Sequence, residues 1–125
     1  AGVIAIFAKQ MLDGDRVVIF GDGNYERDFV YVSDVVEANM KALEQVGSDV
    51  YNIGTGVGTT VNAIFTRLAN LIGYTGLPRY EPPRNGEVFK IYLNNQKAER
   101  ELRWIPSVDL GSGLSFTVEA LRSMA

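Results

Sequence analysis

The sequence predicts an α/β protein in which short strands alternate with helices. Apolar residues recur at helical spacing in several segments, and short β-branched or proline-bounded runs separate those segments. The 125 residues, with 46% hydrophobic and 22% charged side chains, have the length and composition of one globular domain. Because no repeat, low-complexity run or linker interrupts them, residues 1–125 are predicted to form a single unit with some parallel strand pairing.

The first half of the chain begins with a helix over residues 3–12, which Asp13-Gly14-Asp15 ends. Residues 16–20 are a β-branched run and a predicted strand, and a second apolar run, residues 29–32, is predicted as another. A helix follows from a cap at Ser33 or Asp34, in a capping box with Glu37, to about Val46. Its apolar stripe comprises Val36, Met40 and Leu43, and residues 49–53 form the next predicted strand.

The second half begins with a helix that Thr59 or Thr60 caps and Gly73 ends. Its buried stripe is predicted to comprise Val61, Ile64, Phe65, Leu68, Leu71 and Ile72. Prolines make residues 78–83 extended, and residues 88–93 form a short extended piece. A helix over residues 96–102 precedes a packed Trp104, and a final amphipathic helix runs over residues 110–124.

Composition excludes several classes of function. The formal net charge of −3 disfavours nonspecific nucleic-acid binding, which usually needs a basic surface. No apolar run approaches the roughly 20 residues that span a bilayer. The start, Ala1-Gly2-Val3-Ile4, lacks the pattern of a signal peptide, so we expect the interior of a longer polypeptide, and a cytoplasmic location is compatible with this. The absence of Cys and His excludes disulfides, zinc–thiolate sites and Ser-His-Asp triads.

Two local patterns favour structural roles over ligand binding. Gly54-Thr55-Gly56-Val57-Gly58-Thr59 joins a predicted strand to a helix, as phosphate loops do, but its G-x-G-x-G spacing differs from the dinucleotide pattern G-x-G-x-x-G. A tight turn into a threonine-capped helix is the favoured interpretation. The spacing of Asp22, Asp28 and Asp34 matches no calcium loop, so turn and cap roles are expected and no metal site is predicted.

One stretch carries a family resemblance. It reads Phe20-Gly21-Asp22-Gly23-Asn24-Tyr25-Glu26-Arg27-Asp28-Phe29-Val30-Tyr31-Val32-Ser33-Asp34. It resembles the IYGDG-x-x-x-RDF-x-YV-x-D segment of NAD-dependent nucleotide-sugar epimerases and dehydratases, extended short-chain dehydrogenases/reductases whose type members are UDP-glucose 4-epimerases. The likeness continues in order through residues 50–56, 84–87, 97–98 and 102–106. It implies the C-terminal, substrate-binding portion of such an enzyme, without the N-terminal dinucleotide-binding Rossmann half.

The resemblance implies that catalysis lies outside this chain. Family members use NAD and a Tyr-x-x-x-Lys pair, in which the lysine lowers the pKa of the tyrosine for proton transfer. None of the six tyrosines here has a lysine four residues later. We therefore expect no catalytic residue, no NAD binding and no activity in the chain alone, while the intact parent would bind NAD.

The resemblance also implies substrate-binding residues. Arg27, next to the second apolar run, matches a family arginine that grips the diphosphate, for which a guanidinium offers paired hydrogen bonds. Arg84 matches a second diphosphate arginine, and Glu87 matches an acid that accepts the ribose hydroxyls. Phe20 matches an aromatic residue that lies on the base, and Val18 would supply backbone contacts to it. The position of Ile91 borders the sugar in some relatives, although packing is the favoured role.

We interpret the chain as the UDP-sugar-binding portion of an epimerase of this family. Two alternatives stay open: a stand-alone nucleotide-binding module, and an assembly or interaction fragment without a ligand. The partners implied are a UDP-sugar and the missing Rossmann half. In relatives, the helix after Asp34 and residues 51–53 pack on the dinucleotide domain. Without that domain these elements would expose apolar surface, so a homo-oligomer or domain-swapped assembly is expected.

Overall fold

The computed structural model describes residues 2–45, 47, 49–86 and 89–124, which contain five helices and four short strands in the order α-β-β-α-β-α-β-α-α. The helices are α1 (Val3–Asp13), α2 (Val32–Leu43), α3 (Val61–Ile72), α4 (Gln96–Leu102) and α5 (Leu110–Ser123). The strands are β1 (Val18–Phe20), β2 (Glu26–Arg27), β3 (Thr59–Thr60) and β4 (Arg79–Glu81). None of the described helices is long and apolar enough to cross a membrane.

The strands form two small sheets. β1 pairs with β4 in parallel, with Val18 opposite Arg79 and Phe20 opposite Glu81. β2 pairs with β3 antiparallel, and on its other side Glu26 forms a parallel bridge with Lys90. Because β1 and β4 are parallel, their carboxyl ends meet at one edge of their sheet.

The larger of two hydrophobic clusters, the first core, lies between α1, α3, α5 and β1. Its buried residues are Phe7, Ala8, Met11, Val17, Ile19, Ile64, Leu68, Leu114 and Val118. The Thr60 side chain caps α3 by accepting from the Ala63 N–H at 3.1 Å, and Gly73 ends α3 in the left-handed conformation. These features confirm the predicted helix, except that Leu71 is exposed rather than buried.

The second core joins α2 to α4. Its buried residues are Ala38, Ala98, Leu102 and Trp104, with Val30, Tyr51 and Ile53 packed against them. The indole Nε1–H of Trp104 donates to the Asp34 carbonyl at 2.8 Å. The Asp34 carboxylate in turn accepts from the backbone N–H and hydroxyl of Ser107 and from the Val108 N–H, at 2.8–3.1 Å. This carboxylate therefore fastens α2 to the turn before α5.

The structure corrects the predicted course of residues 29–34. They form no strand: Phe29 packs against the first core, Val30 packs against the second, and α2 already begins at Val32. The N-cap is Tyr31 rather than Ser33 or Asp34, and it makes no side-chain cap. Asp34 cannot cap α2 because its carboxylate is occupied by Ser107 and Val108. The predicted helix end at Val46 lies outside the described residues, and α2 ends at Leu43.

Residues 49–53 were also predicted as a strand, and this was wrong. These residues belong to none of the strands, and the Lys97 ammonium donates to the Val50 carbonyl at 2.9 Å and to the Asp49 carboxylate. The hydrogen bond from Lys97 to Asp49 is the largest cause that lowers the pKa of the Asp49 carboxyl. Lys97 also lies 4.9 Å from the centroid of the Tyr51 ring.

The predicted apolar stripe of α2 faces outward. The predicted residues, with their exposed fractions, are Val36 (53%), Met40 (59%) and Leu43 (82%), and Val32 (64%), which the prediction did not include, is exposed on the same helix. The opposite side of α2 carries the buried Asp34 and Ala38. We call these four residues the α2 outer face.

Candidate functional site

The carboxyl edge of the β1–β4 sheet brings together two of the predicted binding residues. Phe20 ends β1 with a partly exposed ring, and the Arg84 guanidinium carbon lies 3.9 Å from its centroid. The backbone supports this pair, because the Gly21 N–H donates to the Glu81 carbonyl at 2.8 Å just beyond the strands. A stacked guanidinium keeps its in-plane N–H groups available for an anion, while the ring can contact an apolar or aromatic group.

An open cavity of about 620 Å³ lies beside this pair. It is lined by Gly21, Asp22, Tyr25, Tyr80, Glu81 and Pro83. Ligands of parallel α/β sheets commonly bind outside the carboxyl ends of the strands, and this cavity occupies that position. Its size is within the range of small-molecule sites.

Arg27 lies within a strand, β2, and not before one as the sequence suggested. Its Nη1–H donates to the Glu26 carbonyl at 2.8 Å, and its guanidinium carbon is 5.9 Å from the Tyr25 ring centroid. Since side chains alternate along a strand, Tyr25 and Arg27 share one face of β2. The Phe89 and Tyr25 rings pack edge to face with their centroids 5.5 Å apart, so Phe89 lies on that face too.

Tyr25 connects this face to the cavity. A Cβ atom on Gly21 would lie 3.2 Å from the Tyr25 ring, and Gly21 has a φ of +80°, so glycine is needed there for both space and conformation. The ring thus contacts the Phe20–Gly21 end of β1 on one side and Phe89 on the other. The Tyr25 ring therefore lies between two half-sites, one formed by Phe20 and Arg84 and the other by Arg27.

The backbone pairing of β1 and of residue 91 shows how Val18 and Ile91 are oriented. β4 is paired to β1 through the Val17 carbonyl and the Gly21 N–H, so alternation directs the backbone groups of Val18 and Phe20 to the other edge of β1. Ile91 donates its N–H to the Glu26 carbonyl at 3.0 Å, and alternation puts its exposed side chain on the face of Phe89. Glu87 lies outside the described residues.

The glycine turn at residues 54–56 is occupied by a carboxylate of the chain itself. Asp28 accepts from the Thr55 N–H and hydroxyl at 2.9 and 2.6 Å and from the Gly56 N–H at 2.9 Å. Burial raises the pKa of Asp28, but these bonds and one from Leu93 outweigh it and hold the pKa below its ordinary value. The turn amides are therefore not available to a dinucleotide pyrophosphate, and this turn does not fit NAD.

Of the other two aspartates, Asp22 has the turn role that was expected, since it accepts from the Asn24 N–H at 2.9 Å. Asp34 is not the expected cap of α2, because its carboxylate bonds the turn before α5. No group of three or more acidic residues that could hold a metal ion occurs in the described part of the chain.

Sequence reasoning missed three residues that shape the cavity: Tyr25, Tyr80 and Asn62. Tyr80 donates its hydroxyl to the Asn62 Oδ1 at 2.9 Å, and the Asn62 amide donates to the Asp22 carbonyl at 3.0 Å. This network ties the 21–25 turn to α3 and β4. Tyr25 lies within the stretch that resembles the family, and Tyr80 lies between two prolines, so their positions in the sequence could have indicated both residues. No local pattern indicated Asn62.

Comparison with known proteins identifies relatives of this chain. The model of the NAD dependent epimerase/dehydratase family matches residues 1–54. A putative UDP-glucose 4-epimerase of Methanocaldococcus jannaschii is 46% identical over 98% of this chain, and a UDP-glucose 4-epimerase of Mycolicibacterium smegmatis is 40% identical over 98%. The crystal structure of UDP-glucose 4-epimerase with UDP-glucose from Thermotoga maritima matches 99% of the chain at 52% identity with a TM-score of 0.96.

The chain spans about 40% of the length of these relatives. The Thermus thermophilus UDP-glucose 4-epimerase, in complex with NAD, gives a TM-score of 0.88 at 34% identity, again with 40% of that protein covered. These findings confirm the resemblance: the chain is a relative of NAD-dependent epimerases/dehydratases, and its α/β fold is that of the matching portion of an extended short-chain dehydrogenase/reductase.

Proposed function

We propose that this chain is the nucleotide-binding, C-terminal portion of an NAD-dependent UDP-sugar epimerase. The observation that carries the proposal is the Arg84 guanidinium stacked 3.9 Å over the Phe20 ring at the carboxyl edge of a parallel strand pair. A fixed cation suits a diphosphate, and an exposed ring beside it suits a nucleobase. The Thermotoga maritima relative, 52% identical, was solved with UDP-glucose.

Each predicted residue then has a role. Arg84 and Arg27 bind the diphosphate, one from each half-site. Phe20 lies on the uracil, and the outward backbone edge at Val18 pairs with it; this edge has no partner strand in the described part of the chain. Glu87 accepts the ribose hydroxyls. Ile91, exposed on the Phe89 face, borders the sugar.

The chemistry belongs to polypeptide outside this chain. The dinucleotide half would bring NAD and a tyrosine–lysine pair, which supply hydride transfer and proton transfer at the sugar. This chain contributes positioning: binding energy gained at the nucleotide holds the sugar for reaction elsewhere. The α2 outer face then packs against that half, or against another copy when the half is absent.

Titration calorimetry with UDP tests the site. Arg84→Ala and Arg27→Ala should each weaken binding by roughly 1.5–3 kcal/mol, the range for charge-assisted hydrogen bonds. Arg100→Ala is the matched control, since Arg100 is exposed on α4 and lies outside both half-sites. Unchanged affinity in both site variants would reject the diphosphate assignment. If the unaltered chain binds no UDP, the assembly fragment becomes the better interpretation.

A second assay separates the epimerase portion from a complete enzyme. The pure 125-residue chain, incubated with NAD and UDP-glucose, should form no UDP-galactose, because its tyrosines lack the paired lysine. Sustained turnover would show that the chemistry lies within this chain and would overturn the assignment of catalysis to a missing half.

A further inference from the structure

One carboxylate joins three separate segments of the candidate site. The Oδ1 of Asp28 accepts from the Thr55 N–H and hydroxyl, and its Oδ2 accepts from the Gly56 N–H at 2.9 Å and the Leu93 N–H at 3.1 Å. Two donors on each oxygen use the accepting capacity of an ionised carboxylate fully. Gly54 makes room for it, since a Cβ there would lie 2.7 Å from Oδ2.

These bonds fix the strand that carries Arg27. Asp28 follows Arg27 directly, so its carboxylate anchors the end of β2 to the turn at residues 54–56 and to residue 93. β2 pairs with β3 on one edge, and its other edge bonds to the segment that holds residue 93: the Glu26 N–H donates to the Phe89 carbonyl at 2.8 Å, and the Ile91 N–H donates to the Glu26 carbonyl. Phe89, Ile91 and Arg27 therefore take their positions from one backbone array that Asp28 closes at its end.

We propose that Asp28 is the positioning residue of the nucleotide site: its carboxylate sets Arg27 and the 89–93 segment in binding geometry without touching the ligand. This inference rests on the proposed function. Asp28 lies on the face of β2 opposite to Arg27, against Gly54, so it acts through the backbone. Its effect on affinity depends on Arg27 being present.

The chain contains a matched control. Asp34 is a buried carboxylate that also accepts backbone and hydroxyl donors, from Ser107 and Val108, but it fastens α2 to the turn before α5 and not the β2 array. Asp28→Asn and Asp34→Asn make the same chemical change, in which an amide N–H₂ faces N–H donors that previously met a carboxylate oxygen. Both substitutions should lower the thermal midpoint.

The binding experiment compares both variants and the double variant Arg27→Ala/Asp28→Asn, titrated with UDP at a temperature where circular dichroism shows all of them folded. Asp28→Asn should lower UDP affinity by about tenfold or more, and Asp34→Asn by less than about twofold. The double variant should bind like Arg27→Ala alone, because the two residues act as one unit. Equal losses in Asp28→Asn and Asp34→Asn, or additive losses in the double variant, would reduce Asp28 to a stabilising residue.

A second readout needs no ligand. In amide hydrogen exchange of the free chain, Asp28→Asn should remove protection at Glu26 and Ile91 while leaving Gly21, which bonds to Glu81, unchanged. Protection at Glu26 and Ile91 equal to that of the unaltered chain would overturn the positioning role, whether or not UDP binds. Failure of the unaltered chain to bind UDP, with protection lost as expected, would reject the proposed ligand and leave Asp28 as the organiser of the β2 array.

Discussion

The two hydrophobic cores differ in how completely this chain covers them. In the first core, three helices of 11–14 residues enclose β1 and bury side chains contributed from all four elements. In the second core, α2 and the seven-residue α4 enclose Trp104 and little else. The first core also has exposed apolar residues, such as Ile6 on α1 and Leu71 on α3, but these lie singly on different helices.

The difference identifies α2 as the helix whose exposed apolar residues form a stripe. The α2 outer face is a continuous stripe along one helix, and an apolar stripe of that kind usually marks a contact with other polypeptide. Its opposite face reaches the second core through Ala38 and through polar bonds of Asp34. Polar anchoring holds α2 in place here, where the first core relies on apolar packing from several sides.

Removing Trp104 should produce the largest effect and open the second core alone. Trp104→Ala should lower the free energy of unfolding by about 3–5 kcal/mol, from the cavity that a buried aromatic residue leaves, and it also removes the bond to Asp34. We expect amide exchange to lose protection in α2 and α4 while α1 and α3 stay protected. Leu68→Ala in the first core is the control and should reduce protection throughout. A uniform loss in both variants would mean that the two cores unfold as one unit.

Much of the fold followed from the sequence because local signals and packing agreed. Thr60 and Gly73 delimit α3, and Gly14 ends α1, as predicted from capping chemistry. Residues 29–32 and 49–53 carry β-branched and aromatic side chains, which favoured strands. In the structure α2 already begins at Val32, and the Val50 carbonyl accepts from the Lys97 ammonium. The hydrogen-bond partner of a backbone group can lie far away in the sequence, and the periodicity of apolar residues does not identify it.

The candidate site was predictable residue by residue but not as an arrangement. The motif identified Arg27, Arg84 and Phe20 singly. The stacking of Arg84 on Phe20 depends on the parallel register of β1 and β4, which brings residues about sixty positions apart to one edge. Asp28 was expected in a turn or cap, and only the fold shows that its carboxylate gathers donors from residues 55, 56 and 93.

Acid should open the second core before the first. Burial raises the pKa of Asp34, but bonds from Val108 and Ser107 outweigh it and lower the pKa below its ordinary value. A lowered pKa in the folded state gives stability that is present above the unfolded pKa, about 3.9, and is lost as pH falls through the folded pKa. The loss should be about 2 kcal/mol, the scale of bonds to a charged group.

Trp104 is the only tryptophan, so its fluorescence reports the second core, whereas far-ultraviolet circular dichroism reports all the helices. On acidification, the fluorescence change should precede the loss of helix signal. Asp34→Asn should already show at neutral pH the weakened second core and a flatter fluorescence response to acid. Coincident transitions by both probes in the unaltered chain would contradict separate opening of the two cores.

The smallest effect expected concerns the α2 outer face, and it decides whether that face acts as a contact surface. The unaltered chain should self-associate, with an apparent mass in light scattering that rises with concentration. Val36→Ser combined with Met40→Gln should weaken association, because each removes about 1 kcal/mol of apolar burial from a contact. Together this is roughly tenfold or more in the association constant. Ile6→Ser is the control, since Ile6 is exposed on α1, beside the first core. Equal weakening by the control would make association a general property of exposed apolar residues. A compact monomer at high concentration, with no dye-binding surface, would mean that α2 needs no covering and that the contrast between the two cores lies in size alone.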